Sequence, residues 1–281
     1  MLGCDVILCQ TRSSALAGIE DAANRALDFN PLKSWLDDIC RKIATKFSLV
    51  TRDGAPRTAF VLDTLLRYSC RGCIKKVLEN PSANGRADML YIQNHELAVG
   101  LLVEGLRQTF EANGFSFKVG QEVNGVFGRP DVIVKPIKAG VLVETGSLEV
   151  VIEVKTGIGF SYGQLIRYLL ERPKAIGIIW RILPNQILVV DPRKHRAILW
   201  LCAAAALKRG LDILNGEPEE CKHNPFNGKN AEIKNAQKVL DSYFEALQKS
   251  LPRILQTVYE VACDMHAGAK DGDMVNDPEQ A

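Results

Sequence analysis

The sequence predicts an α/β fold in which a core with a mixed sheet is flanked by helices and carries helical additions at both ends. Two observations support this prediction. Between residues 91 and 193, runs rich in Val and Ile that are typical of strands alternate with helical periodicity, in the order helix, three strands, helix, two strands. On either side of this stretch, the spacing of apolar residues is mainly helical.

The composition is that of a soluble globular protein. Hydrophobic residues make up 47% and charged residues 24% of the 281 residues, which excludes a largely disordered chain. No apolar run reaches the roughly 18–20 residues that cross a bilayer, and the first residues lack the pattern of a secretion signal. We therefore expect a cytoplasmic protein with no membrane partner. The net charge of +2 is too small to indicate a partner.

The same patterns divide the chain into four regions. Residues 1–90 form an N-terminal helical region that ends in the turn-rich stretch 80–85. Residues 91–193 form the core, and residues 194–267 form a C-terminal helical region. Residues 268–281 contain little apolar content and are expected to be a flexible tail. We expect the helical additions to provide surfaces for protein partners or for a homo-oligomer.

Turn signals bound each element of the core. The first helix covers 93–112 and ends at Asn113-Gly114, a C-terminal signal. The second helix covers 161–171 and stops before Pro173, because proline cannot continue a helix. A turn at Pro184-Asn185 separates the last two strands. The predicted strands are 115–123, 129–137, 147–155, 175–182 and 186–191.

Two carboxylates and a lysine interrupt these apolar strands. Asp131 stands at the head of one strand, and Glu153 and Lys155 lie two apart in the next, so that both point to one face. Charges among Val and Ile are costly when they are buried without partners. Convergence around a hard divalent cation gives them partners, because Mg²⁺ prefers oxygen ligands. The lysine can then orient or help to deprotonate an attacking water and stabilise charge on a phosphate.

The helix that follows adds Gln164 and Tyr168, which lie four residues apart and therefore on one face. Three short motifs together resemble those of the RecB-type branch of the PD-(D/E)xK nuclease superfamily: Pro130-Asp131, Glu153-Val154-Lys155 and Gln164-x-x-x-Tyr168. This branch includes helicase-associated and CRISPR-associated exonucleases. The resemblance covers residues 93–192 and implies a restriction-endonuclease-like core.

The resemblance implies an enzyme, namely a Mg²⁺- or Mn²⁺-dependent nuclease that hydrolyses DNA phosphodiesters in DNA repair, recombination or CRISPR-type DNA processing. Asp131 and Glu153 match the metal carboxylates of the family, and Lys155 matches its catalytic lysine. The backbone carbonyl of Val154 would be a further ligand. Gln164 and Tyr168 would support the site and contact the DNA strand. The alternative is a catalytically inactive DNA-binding or assembly subunit on a nuclease fold.

The family also supplies a metal ligand from the first core helix. Glu96, Gly100 and Glu104 recur every four residues and share one face of that helix. Glu104 lies at a suitable distance before the first strand, and we assign it as the ligand. His95 and Glu96 stay open as alternatives, because RecB-type enzymes often use a histidine here.

Cysteines raise the question of a second cofactor. CRISPR-associated members of the branch hold an iron–sulfur cluster with one cysteine ahead of the core and three after it. Cys70 resembles the upstream element, whereas Cys202, Cys221 and Cys263 are far apart along the chain. We leave the cluster open, do not assign it, and expect reduced thiols.

Overall fold

A computed structural model of the chain describes residues 30–81, 89–120, 128–138, 141–142, 149–156, 162–172, 174–216, 225 and 236–272. Its helices are α1 (Asn30–Lys46), α2 (Thr58–Arg67), α3 (Arg71–Glu79), α4 (Met89–Ala112), α5 (Gly163–Glu171), α6 (Pro192–Asn215) and α7 (Ala236–Gly272). Its strands are β1 (Phe117–Gly120), β2 (Val132–Lys138), β3 (Val141–Leu142), β4 (Val150–Lys155), β5 (Ile176–Arg181) and β6 (Gln186–Val190). The predictions for residues 1–29 lie outside the described residues.

The strands form one mixed sheet in the order β1-β2-β4-β5-β6, and the two-residue β3 pairs with the end of β2. The pairs β1–β2, β2–β4 and β5–β6 are antiparallel. The pair β4–β5 is parallel, because α5 provides the crossover that returns the chain to the same end of the sheet. A mixed sheet flanked by helices confirms the predicted α/β class. The short β3 was not predicted.

Helices cover both faces of the sheet, because the central strands β4 and β5 are apolar on both sides. One face, which includes Val151 and Ile179, is covered mainly by α5, and α1, α2, α3 and α6 join the same apolar core around α5. The other face, which includes Ile152 and Trp180, packs against α4 and α7. The N-terminal helices therefore form a further layer outside α5, whereas α7 of the C-terminal region lies on the sheet.

The helix ends differ from the predicted boundaries. α6 begins at Pro192, just before the predicted boundary at 193, and α7 continues to Gly272. Residues 268–272 are thus helical where a tail was predicted, because a nucleated helix gains one hydrogen bond for each residue that it adds. Residues 273–281 lie outside the described residues. Within the described chain, we find no helix long and apolar enough to cross a membrane.

α5 lies unusually close to the sheet because β5 carries a glycine beneath it. A Cβ atom built at Gly177 would lie 2.7 Å from Leu165 Cδ1, which is closer than real Cβ contacts. Most of α5 is buried, while Gln164 is only partly buried. This close packing brings the polar face of α5 within reach of the end of β4.

Candidate active site

The antiparallel pair β2–β4 brings Asp131 and Glu153 to the same end of the sheet. Val132 is the partner of Ile152, and extending this register by one residue sets Asp131 opposite Glu153. Opposite residues in such a pair have Cα atoms about 4.5–5.5 Å apart. Asp131 Oδ2 also accepts a hydrogen bond of 2.7 Å from the backbone N–H of Val154. The two predicted carboxylates are therefore neighbours.

Lys155 lies between Glu153 and Gln164. Its Nζ donates to Glu153 Oε1 at 2.5 Å and to Gln164 Oε1 on α5. The Glu153 side chain is only 3% exposed, and its Oε2 has no hydrogen-bond partner among the described residues. Burial raises the pKa of the Glu153 carboxyl to about 7, because the loss of hydration outweighs the attraction of Lys155. Oε2 is therefore a buried acceptor that a cation could use.

Tyr168 supports the segment that leads into Asp131. Its side chain is buried, and its hydroxyl donates to the carbonyl oxygen of Arg129 at 2.8 Å. Burial, together with the nearby carboxylate of Glu153, raises the pKa of this hydroxyl. The hydroxyl thus stays protonated and keeps its role as a donor. This geometry suits support of the backbone, whereas contact with a DNA strand would require exposure.

The first helix contributes His95 to the cluster. His95 Nε2 lies 3.3 Å from Asp131 Oδ2, and this hydrogen bond raises the pKa of the imidazole. Glu104, which we assigned from the sequence, lies nine residues further along α4, about 13 Å along the axis and on the opposite side of the helix. Glu104 is exposed, and together with Glu96 it lines a groove between α4 and β1. The structure therefore brings His95, and not Glu104, to Asp131, where it contacts the carboxylate.

The described residues hold no group of three or more His, Cys, Asp or Glu side chains that could bind a metal ion. Two carboxylates nevertheless fit a small hard cation, because Mg²⁺ is commonly held by one or two carboxylates with waters and substrate phosphates. The Val154 carbonyl lies on the same strand edge as the N–H that Asp131 accepts, so it faces Asp131 too. The unpartnered Glu153 Oε2 completes an all-oxygen donor set.

The described cysteines do not share one site. Cys202 is buried in α6, and Cys70 is the residue just before α3, on the side of the sheet that α5 covers. Cys263 belongs to α7, which covers the opposite face. The sheet separates these thiols, so they cannot hold a common cluster. Cys221 lies outside the described residues.

Sequence reasoning missed two features beside the site. Gly128 has a φ of 121°, and a Cβ there would lie 3.2 Å from Arg167 Nη1 and 3.3 Å from Tyr168 Cε1. Only glycine tolerates both the backbone conformation and this close approach. Arg167 itself is buried in α5. A charged residue within the apolar run of α5 was the available signal for Arg167.

If the cluster binds metal and cuts DNA as the motifs imply, His95→Ala should weaken Mn²⁺ binding and slow cleavage by about 10–100-fold, because groups that orient a ligating carboxylate typically contribute this much. Calorimetry of Mn²⁺ binding and a cleavage assay measure the two effects. Glu104→Ala is the control on the same helix and should match the wild type in both. The reverse pattern, with loss in Glu104→Ala alone, would restore the original assignment.

Comparison of the chain with protein-family models, with curated proteins and with solved structures finds no match. Function is therefore inferred from the chemistry of the cluster. Its elements are two neighbouring carboxylates, a lysine held by a carboxylate and an amide, and a histidine on one of the carboxylates.

Proposed function

We propose that this chain is a Mg²⁺- or Mn²⁺-dependent deoxyribonuclease of the PD-(D/E)xK type. One observation carries the proposal: Asp131, which lies 22 residues before Glu153 in the sequence, joins Glu153 and Lys155 in one cluster at the end of β4. The order of helices and strands around the cluster also agrees with the resemblance of the motifs.

Each residue of the cluster has a distinct role in this proposal. Asp131, Glu153 and the Val154 carbonyl would hold a divalent cation, and such an ion would supply polarisation of a phosphate and a more acidic water. Lys155 holds the attacking water and stabilises the charge that develops on the phosphate. Gln164 fixes the direction of the Lys155 ammonium, since its Oε1 accepts from Nζ.

Exposure indicates the side from which DNA approaches. The side chains of His95 and Asp131 are 24% and 18% exposed, whereas that of Glu153 is 3% exposed. Solvent therefore reaches the cluster from the Asp131 side, and Glu153 forms its floor. A phosphodiester that enters from this side meets Asp131 before it meets Glu153. The buried Glu153 carboxylate then lies in a low-dielectric environment, in which its interaction with a cation is strong.

The test of this function is cleavage of labelled linear DNA with Mg²⁺, with Mn²⁺ and with EDTA. We expect products with either metal and none in EDTA. Asp131→Asn should abolish cleavage because the amide cannot replace an anionic ligand, while DNA binding measured in Ca²⁺ persists. Asp212→Asn, at a surface aspartate that pairs with Lys208 on α6, is the matched control and should cleave as the wild type does.

Two outcomes would contradict the proposal. Cleavage that survives in Asp131→Asn would mean that another site or a contaminant cuts the DNA. A wild-type protein that binds DNA but does not cut it with either metal would favour the alternative, a DNA-binding or assembly subunit on a nuclease fold.

A further inference from the structure

Arg167 is a buried cation that the roles above do not use. It lies in the middle of α5, with only 6% of its surface exposed. A buried charge is costly unless it is paired and hydrogen-bonded. Its Nε lies 3.9 Å from Asp63 Oδ1, which belongs to α2.

The contacts of Arg167 join two regions of the chain. Nη1 donates to the carbonyl oxygen of Ala59 in the first turn of α2, at 3.0 Å. The guanidinium carbon lies 5.7 Å from the centroid of the Tyr168 ring. The backbone of Gly128 also approaches so closely that an added Cβ would lie 3.2 Å from Nη1. One side chain therefore contacts α2, Tyr168 and the segment that leads into Asp131.

Two neighbouring residues of α5 support this segment. Tyr168 holds it through the carbonyl oxygen of Arg129, and Arg167 packs against it at Gly128. The segment places Asp131 in line with Val154 and His95. The positive charge of Arg167 also acts on Glu153, since it lowers the pKa of that carboxyl against the effect of burial. Arg167 thus influences both carboxylates without belonging to the cluster.

We propose that Arg167 is a positioning residue of the cleavage site, which clamps the segment Gly128–Asp131 against helix α2 and so makes the N-terminal helical region part of the catalytic apparatus. This inference rests on the proposed nuclease function. A planar guanidinium suits this role, because its fork of donors can hold a backbone carbonyl while its faces pack against an aromatic ring and a backbone. Lysine keeps the charge but lacks the fork.

The test compares Arg167→Gln and Arg167→Lys with the wild type. We expect Arg167→Gln to lower the single-turnover cleavage rate by about 10–100-fold, as for other groups that orient a ligating carboxylate. DNA affinity in Ca²⁺ should hardly change, because Arg167 is buried. Arg167→Lys should recover part of the rate. A residue with a purely structural role would lower the melting temperature and leave the saturated rate intact.

Arg172→Gln is the matched control. Arg172 ends the same helix and is also partly buried, but it pairs with Glu149 at 3.1 Å, ahead of the first residue of β4 and far from Lys155 at its end. Its loss should reduce stability and leave the saturated cleavage rate close to that of the wild type. A rate equal to that of the wild type in either folded Arg167 variant overturns the inference, and Arg167→Lys decides if Arg167→Gln does not fold.

Hydrogen–deuterium exchange provides a readout that does not depend on activity. Amides of Gly128–Val132 and of the first turn of α2 should exchange faster in Arg167→Lys than in the wild type, and Arg172→Gln should leave both segments unchanged. Unchanged exchange in Arg167→Lys overturns the inference even for a protein that cuts no DNA. The proposed function fails separately, through the absence of wild-type cleavage.

Discussion

Lys155→Ala is expected to lower the single-turnover rate of DNA cleavage by about 10²–10³-fold, the typical contribution of a preorganised charged donor. The reason is its position, because Nζ is held by Glu153 and Gln164 beside the carboxylates and its charge acts where negative charge develops. DNA affinity should fall only slightly. Cleavage at saturating enzyme and filter binding across a salt series in Ca²⁺ separate the two effects.

Lys135→Ala is the matched control for this prediction. Lys135 lies on the neighbouring strand β2, is also mostly buried, and pairs with Glu149 at 3.5 Å, away from the cluster. Its removal should leave the saturated rate unchanged. A lysine that only binds a phosphate would behave differently from a catalytic one, since its loss reduces the slope of log affinity against log salt by about one. A wild-type saturated rate in Lys155→Ala would refute the catalytic role.

Glu153→Gln is expected to abolish cleavage and, in the metal-free protein, to raise stability at pH 8, because the neutral amide avoids the cost of burying an ionised carboxylate. Glu153 is buried with one unpartnered oxygen, and its pKa is raised to about 7. The folded state therefore holds the proton more tightly than the unfolded state does. The stability that this group contributes is present at low pH and is lost as the pH rises to about 7.

Thermal unfolding of both proteins between pH 5 and pH 8 measures this effect. The stability difference between Glu153→Gln and the wild type should be small at pH 5, where Glu153 is mostly protonated, and should grow towards pH 8. Glu104→Gln, at an exposed position on α4, controls for the general effect of removing a negative charge and should show no such growth. A stability difference that stays constant with pH would refute the raised pKa of the buried Glu153 carboxyl.

Local patterns in the sequence were sufficient to predict the main helices and strands of the core. The alternation that sets Glu153 and Lys155 on one face is a property of any strand, and the structure has both in β4. The position of Asp131 at the head of β2 also follows from the apolar run after it. The antiparallel pairing of β2 with β4 then brings the two carboxylates together.

The contribution of α4 could not be read from the sequence in the same way. Glu96, Gly100 and Glu104 share a helical repeat, but a repeat does not say which side of a helix meets the sheet. Packing decides this: Leu102, Leu106 and Phe110 are buried towards the sheet and α7. The hydroxyl of Tyr243 on α7 also donates to the Asn94 carbonyl at 2.7 Å and holds the turn that carries His95.

The sequence by itself determined the α/β class and the placement of Glu153 and Lys155 on one face of a strand, because strand alternation and turn signals act over a few residues. That Asp131 and Gln164 act with them was predicted from the resemblance of the short motifs. Tertiary structure alone decided that His95 and not Glu104 meets Asp131, and that Arg167 of α5 contacts α2. Both contacts join residues that are distant in the sequence, 36 positions for His95 and Asp131 and 108 for Ala59 and Arg167. Such contacts depend on how whole layers pack, and no short-range pattern encodes that.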